Sequence, residues 1–251
     1  MGLEEKLRKI LPKLPPLKRI KRAGGDDAWE FEILAKTHAD TWMALWKGRH
    51  ALGFYPLLGA KSRYDEDGSM QEIYRKNPYS AVLRRGLRLK AAAWLAERAS
   101  EEDREETLRD PAYHGPWPSG KSPQTEFSNK SIHVASIQDL KNVCVQLLPV
   151  TESWEAMAYH YWGGWNDAPD PEAQVCMLKS WHDRFGAALV SDGGDFIELY
   201  CERPPETKKD ALSLAKEMFT YCLDSVDQGY GTIEKMAHGI LGSHCWFFWW
   251  D

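Results

Sequence analysis

Residues Ser243-His244-Cys245-Trp246-Phe247-Phe248-Trp249-Trp250-Asp251 set five aromatic rings beside one terminal acidic side chain. Each such ring buries roughly 150–250 Å² when packed, so five in water would form a patch larger than soluble proteins normally expose. The segment is therefore expected to be a structural strand, a partner surface, or both. If Asp251 is buried, a cation or several N–H donors should lie close, with Arg184 and Arg203 as candidates. The whole chain, 43% hydrophobic over 251 residues, is long enough for one large core or two modest ones.

Cys144, Cys176, Cys201, Cys222 and Cys245 are widely spaced and odd in number, a pattern of thiols in a reducing compartment rather than of a disulfide framework. No apolar run reaches the ~20 residues that span a bilayer, and the N-terminal segment lacks the apolar core of a signal peptide. A cytoplasmic address is the expectation. Residues 1–23 hold eight Lys/Arg against Glu4 and Glu5, a net of +6, which leaves −11 for the rest of a chain whose total is −5. Leu3, Leu7, Ile10 and Leu11 fall at helical spacing before a stiff Leu14-Pro15-Pro16-Leu17 stretch. Such an arm can touch anionic lipid or nucleic acid, or offer Pro12-Lys13-Leu14-Pro15 as a PxxP ligand; the favoured expectation is that it folds back on the acidic body or stays solvated, and that its removal leaves the melting temperature nearly unchanged.

After Gly24-Gly25, Asp26 or Asp27 is read as the cap of a helix carrying Trp29, Ile33, Leu34, Trp42, Leu45 and Trp46 and stopping at Gly53. A short strand over Phe54–Leu58 and an Asp- and Gly-rich turn follow, then helices near 69–76 and 80–99 and one more after Ser100. Residues 24–110 thus read as a mostly helical N-terminal region. The Pro-, Gly- and Ser-rich residues 111–130 read as a linker or lid, and 131–251 as an α+β domain. In that domain Val143–Leu148 and Trp154–Tyr159 read as strands. A helix opens at Asp170-Pro171 and ends at Gly186. A hairpin spans 187–201, helices begin at Thr207 and Thr232, and the aromatic strand closes the order. The fold class is α+β, a mainly antiparallel sheet with helices packed on it.

Several motifs together resemble a known family. Trp162-Gly163-Gly164-Trp165-Asn166, Trp181-His182-Asp183-Arg184-Phe185-Gly186-Ala187, Arg203-Pro204-Pro205, Tyr221-Cys222-Leu223-Asp224 with Asp227-Gln228-Gly229, and the closing Trp246–Asp251 are similar to the bacterial family called domain of unknown function 4253, over about residues 140–251. Residues 30–59 resemble the region that precedes that domain. Ala168 stands where the resemblance implies Cys, and Leu223 where it implies Pro. It implies a fold and no chemistry.

From the residues themselves, Asp224, Asp227, His160 and His182, with Glu198, are candidate acid–base groups if they converge on the 224–228 turn. Trp162, Trp165, Asn166, Asp227 and Gln228 are the candidate binding residues, because aromatic rings flanking glycines can form either a stacking wall or a core plug. Cys222, ending an apolar stripe, reads as core rather than nucleophile. No metal motif, nucleotide loop or cofactor signature is present, and nothing firm points to nucleic acid. The leading function is a protein-binding or regulatory module, of immunity or anti-defence type, whose acidic body grips a basic protein. The alternative is a small hydrolase or transferase using Asp224 and Asp227.

Overall fold

The structure is a computed structural model that describes residues 2–23, 25–59, 69–134 and 140–251. One seven-stranded sheet runs in the order β1-β2-β4-β3-β5-β6-β7. Its strands are β1 (Lys18–Ile20), β2 (Ala28–Leu34), β3 (Tyr55–Gly59), β4 (Asn142–Leu148), β5 (Ala187–Asp192), β6 (Phe196–Cys201) and β7 (Cys245–Trp249). Neighbours are antiparallel except β3 and β5, which pair in parallel at Leu58 and Ser191. Because β4 lies between β2 and β3, strands from before and after residues 111–130 share one set of ladders.

The helices are α1 (Leu3–Ile10), α2 (His38–Leu52), α3 (Ser69–Lys76), α4 (Tyr79–Gly86), α5 (Ala91–Ala99), α6 (Glu102–Arg109), α7 (Ser153–His160), α8 (Pro171–Phe185), α9 (Lys208–Tyr221) and α10 (Ile233–Ile240). They cover a mainly antiparallel sheet, the α+β class expected. On one face, Trp42 and Trp46 of α2 pack against Tyr200 of β6. On the other, Trp181 of α8 lies flat on Phe248 of β7, with ring centroids 5.4 Å apart.

Several elements differ from the sequence expectation: residues 18–20 form β1, the segment read as helical over 80–99 is broken between α4 and α5, and two others change class. The helix read from Asp26 to Gly53 begins only at His38, and residues 28–34 form β2. Trp29, Phe31 and Ile33 lie opposite Leu147, Val145 and Val143, whereas Glu30 and Glu32 point to the other face; alternation by two decides against the helix. The strand expected over Trp154–Tyr159 is α7. Its capping box satisfies the first turn: Glu155 accepts from the Glu152 N–H, and Glu152 from the N–H of Glu155. The Asp- and Gly-rich turn after β3 lies outside the described residues.

Of the two outcomes expected for the basic arm, it folds back on the rest of the chain and is packed into the fold. Its helical apolar spacing buries Leu7 completely against α2, and Ile10 presses on Gly48, where a Cβ would sit 2.6 Å from its Cδ1. The charges stay at the surface while the apolar side is covered, except at Arg22. That guanidinium is sandwiched between the Tyr74 and Tyr159 rings, 4.2 and 4.5 Å from their centres, and donates to the Tyr159 carbonyl.

Candidate functional site

Alternation along β7 turns Trp246 and Phe248 toward the helices, and the chain then carries Trp250 the same way; all three are buried. Trp250 contacts Trp162, Trp165 and Tyr221 at centroid distances of 5.3, 6.5 and 5.5 Å. The turn that delivers Trp162 and Trp165 depends on its glycines. Gly163 and Gly164 have φ of 111° and 77°, and a Cβ on Gly163 would lie 2.1 Å from the Pro169 carbonyl oxygen. Within this cluster Trp162 is buried, Trp165 half-buried and Asn166 exposed. The indole N–H groups of Trp162 and Trp250 make no hydrogen bond with a described residue.

The residue after Trp250 reaches the second candidate segment. The Asp251 N–H donates to Asp224 Oδ2 over 3.1 Å, and Gln228 Nε2 donates to Asp224 Oδ1 over 3.2 Å. Ser225–Tyr230 is a π-helical turn, a geometry often found at functional positions. It leaves Asp227, Gln228 and Tyr230 exposed. Asp227 accepts the Tyr113 hydroxyl at 2.7 Å, and this bond pushes the phenol up to about 12. The Trp162–Asn166 turn and the 224–228 turn are thus joined through Trp250 and Asp251. Asp251 itself is exposed, and neither Arg184 nor Arg203 serves it. Arg184 pairs with Glu217 at 2.6 Å, and Arg203 donates to the carbonyls of His182 and Asp183 and pairs with Glu202.

Beside Asn166 lies a polar cleft of about 350 Å³ between α5 and residues 164–170, walled by Trp94, Glu97, Arg98, Glu101, Asp167 and Asp170 among others. Two arginines converge on Asp167 at its rear. Arg98 donates to Asp167 Oδ1 at 2.9 Å and to its carbonyl at 2.6 Å; Arg104 donates to the same Oδ1 and, at 2.8 Å, to the Thr220 carbonyl. Burial lowers the Arg98 pKa, with the Arg104 charge adding to the effect. Arg98 Nε and Asp167 Oδ2 have no partner among the described residues. Sequence reasoning missed Arg98, Arg104 and Asp167. Asp167 directly follows the aromatic motif and was within reach; the arginines, more than sixty positions earlier, carry no local signal.

The histidines and Glu198 do not converge on the 224–228 turn. His160 Nδ1 lies 2.6 Å from Asp192 Oδ2, both side chains nearly buried, where β5 ends beside Gly59 of the parallel β3. His182 faces the Ala187 carbonyl at 3.2 Å and packs its ring on Trp154. Glu198 points to the opposite sheet face from Asp192, since Asp192 pairs with Ile197 and Ser191 with Glu198. There it accepts from Ser191 Oγ at 2.7 Å and from the N–H groups of His133 and Val134. Cys222 is buried, its Sγ 3.0 Å from the Trp249 carbonyl, and desolvation lifts its thiol to about 11. Among the described residues no three His, Cys, Asp or Glu side chains are grouped to hold a metal ion.

Comparison with curated proteins and with solved structures found no match. Residues 144–251, the stretch that contains α7, α8, the β5–β6 hairpin, both turns and β7, match the family model described as domain of unknown function (DUF4253).

Proposed function

We propose that the chain is a protein-binding module whose acidic face takes a basic partner. The observation that carries this reading is the charge around the two joined turns. Glu97, Glu101, Asp167 and Asp170 wall the cleft, and Asp224, Asp227 and Asp251 continue the same sign beyond Trp165 and Trp250. The cations there, Arg98 and Arg104, are already committed to Asp167. A cleft of this size suits an inserted lysine or arginine side chain, with Trp94 and Trp165 as aromatic surface beside it. The exposed carboxylates would speed encounter with a positively charged protein.

The hydrolase alternative draws no comparable support. Asp224 and Asp227 are occupied by Gln228, the Asp251 N–H and the Tyr113 hydroxyl, and neither is hydrogen-bonded to a histidine. The reading is tested by capture from a cell extract with the wild-type protein and with an Asp170→Lys/Asp227→Lys double variant. The wild type should retain a basic protein that higher salt releases, and the double variant should lose it while melting at the same temperature. Equal retention by both would reject the acidic face as the binding surface.

A further inference from the structure

The connection between α4 and α5, together with the outward face of α5, forms a second surface, which adjoins the acidic cleft at Glu97, a residue of both. Residues 84–90, Arg-Arg-Gly-Leu-Arg-Leu-Lys, contain four cations and no acid, and Leu87 and Leu89 are 48% and 42% exposed. Among the described residues only Arg85 of these cations is paired, with Glu172 at 2.5 Å. Helix α5 packs inward through Ala91, Trp94 and Leu95 and contains no fully buried residue. Its outward face is short-chained at Ala92, Ala93 and Ala96 and polar only near its end, at Glu97. The exposed apolar strip therefore has a positive end at Arg88 and Lys90 and a negative end at Glu97. Neither Lys90 nor Glu97 makes a side-chain hydrogen bond or ion pair with a described residue.

A surface with opposite charges at its two ends is complementary to itself when turned by 180°. We propose that this face is a two-fold interface between two copies of the chain, in which the α5 helices cross antiparallel near Ala93. Lys90 of each copy then meets Glu97 of the other. These residues lie about 10 Å apart along the helix axis at 1.5 Å per residue, so one antiparallel crossing serves both pairs at once. Leu87 and Leu89 lose their exposure against the partner, and the alanines let the helices approach closely without steric cost. A two-fold contact of this kind is isologous, the commonest form of self-association. The overall negative charge of the chain, −5, disfavours an anionic membrane as the occupant.

The test is sedimentation velocity on the full chain from micromolar to several hundred micromolar, for the wild type, Lys90→Glu, Glu97→Lys and an equimolar mixture of the two variants. Each variant alone converts two attractions into two repulsions and should weaken dimerisation about tenfold or more. In the mixture both contacts are again opposite in sign, and dimer should return as a heterodimer of the variants. Circular dichroism melts confirm that each variant is folded. A wild type that stays monomeric, variants that dimerise as well as the wild type, or a mixture that remains monomeric would each overturn the proposal. None of these results depends on Asp170 or Asp227, so failure here leaves the acidic-face reading standing.

Discussion

Replacing Trp250 by Ala should cost about 3–5 kcal/mol, whereas replacing Phe247, three positions earlier, should cost about 1–2 kcal/mol. Trp250 is 1% exposed and its ring touches Trp162, Trp165, Tyr221 and Phe248. Roughly 200 Å² of apolar surface at about 25 cal/mol/Å² gives an upper estimate near 5 kcal/mol. No hydrogen bond to a described residue is lost with the indole N–H, so transfer and cavity terms carry the whole effect. Phe247 points to the other face, is 37% exposed and, among the described residues, meets only the aromatic rings of Phe196 and His133. At about 2–4 °C per kcal/mol for a chain of this size, Trp250→Ala should lower the melting temperature by about 6–20 °C and Phe247→Ala by far less. Thermal melts followed by circular dichroism read both. Equal losses for the two variants, or a Trp250→Ala loss within about 1 kcal/mol of zero, would refute the argument that β7 and Trp250 anchor the face of the sheet covered by α8.

Three other outcomes follow from the structure. Deleting residues 1–23 removes the buried Leu7, the β1 ladder and the Arg22 stack, so the melting temperature should fall by more than about 5 °C; an unchanged melt would contradict the packing of the arm. The hydrogen bond to Glu198 raises the His133 pKa, with burial opposing, so the protonated ring is favoured in the folded state. Its stabilisation is full below the unfolded value of about 6.5 and is lost as pH rises through the higher folded value. Melting between pH 6 and 8 should accordingly decline more in the wild type than in His133→Gln, about equal slopes being the contrary result. Burial lifts the thiols of Cys222 and Cys245 to about 11, so both should resist alkylation at neutral pH until the chain is unfolded; rapid labelling of native Cys222 would reopen its reading as a nucleophile.

What the sequence conveyed depended on how local its signals were. The Pro171 start and Gly186 stop of α8, the β5–β6 hairpin and the Thr207 cap each lie within a few residues of what they control, and the structure places them there. The β2 misreading arose because Trp29, Ile33, Trp42 and Trp46 share helical spacing, although Trp29-Glu30-Phe31-Glu32-Ile33 alternates strictly. Helix α7 is buried on nearly every side, so its composition shows no period, and only the Glu152/Glu155 capping box marked it. The Trp162–Asn166 and 224–228 segments stood out in the sequence as polar-aromatic stretches, whereas their link through Trp250 and Asp251 is visible only in the structure. The arginines that organise Asp167 and the separation of Glu198 from Asp192 were not legible, because both follow from sheet register and from contacts distant in sequence.

The acidic-face account is tested most directly by site-specific photo-crosslinking. A photoreactive residue at exposed Asn166 or Gln228 should become joined to the same basic protein, and one at exposed Lys36, after β2, should not. Crosslinks from Lys36 with none from Asn166 or Gln228 would contradict the account.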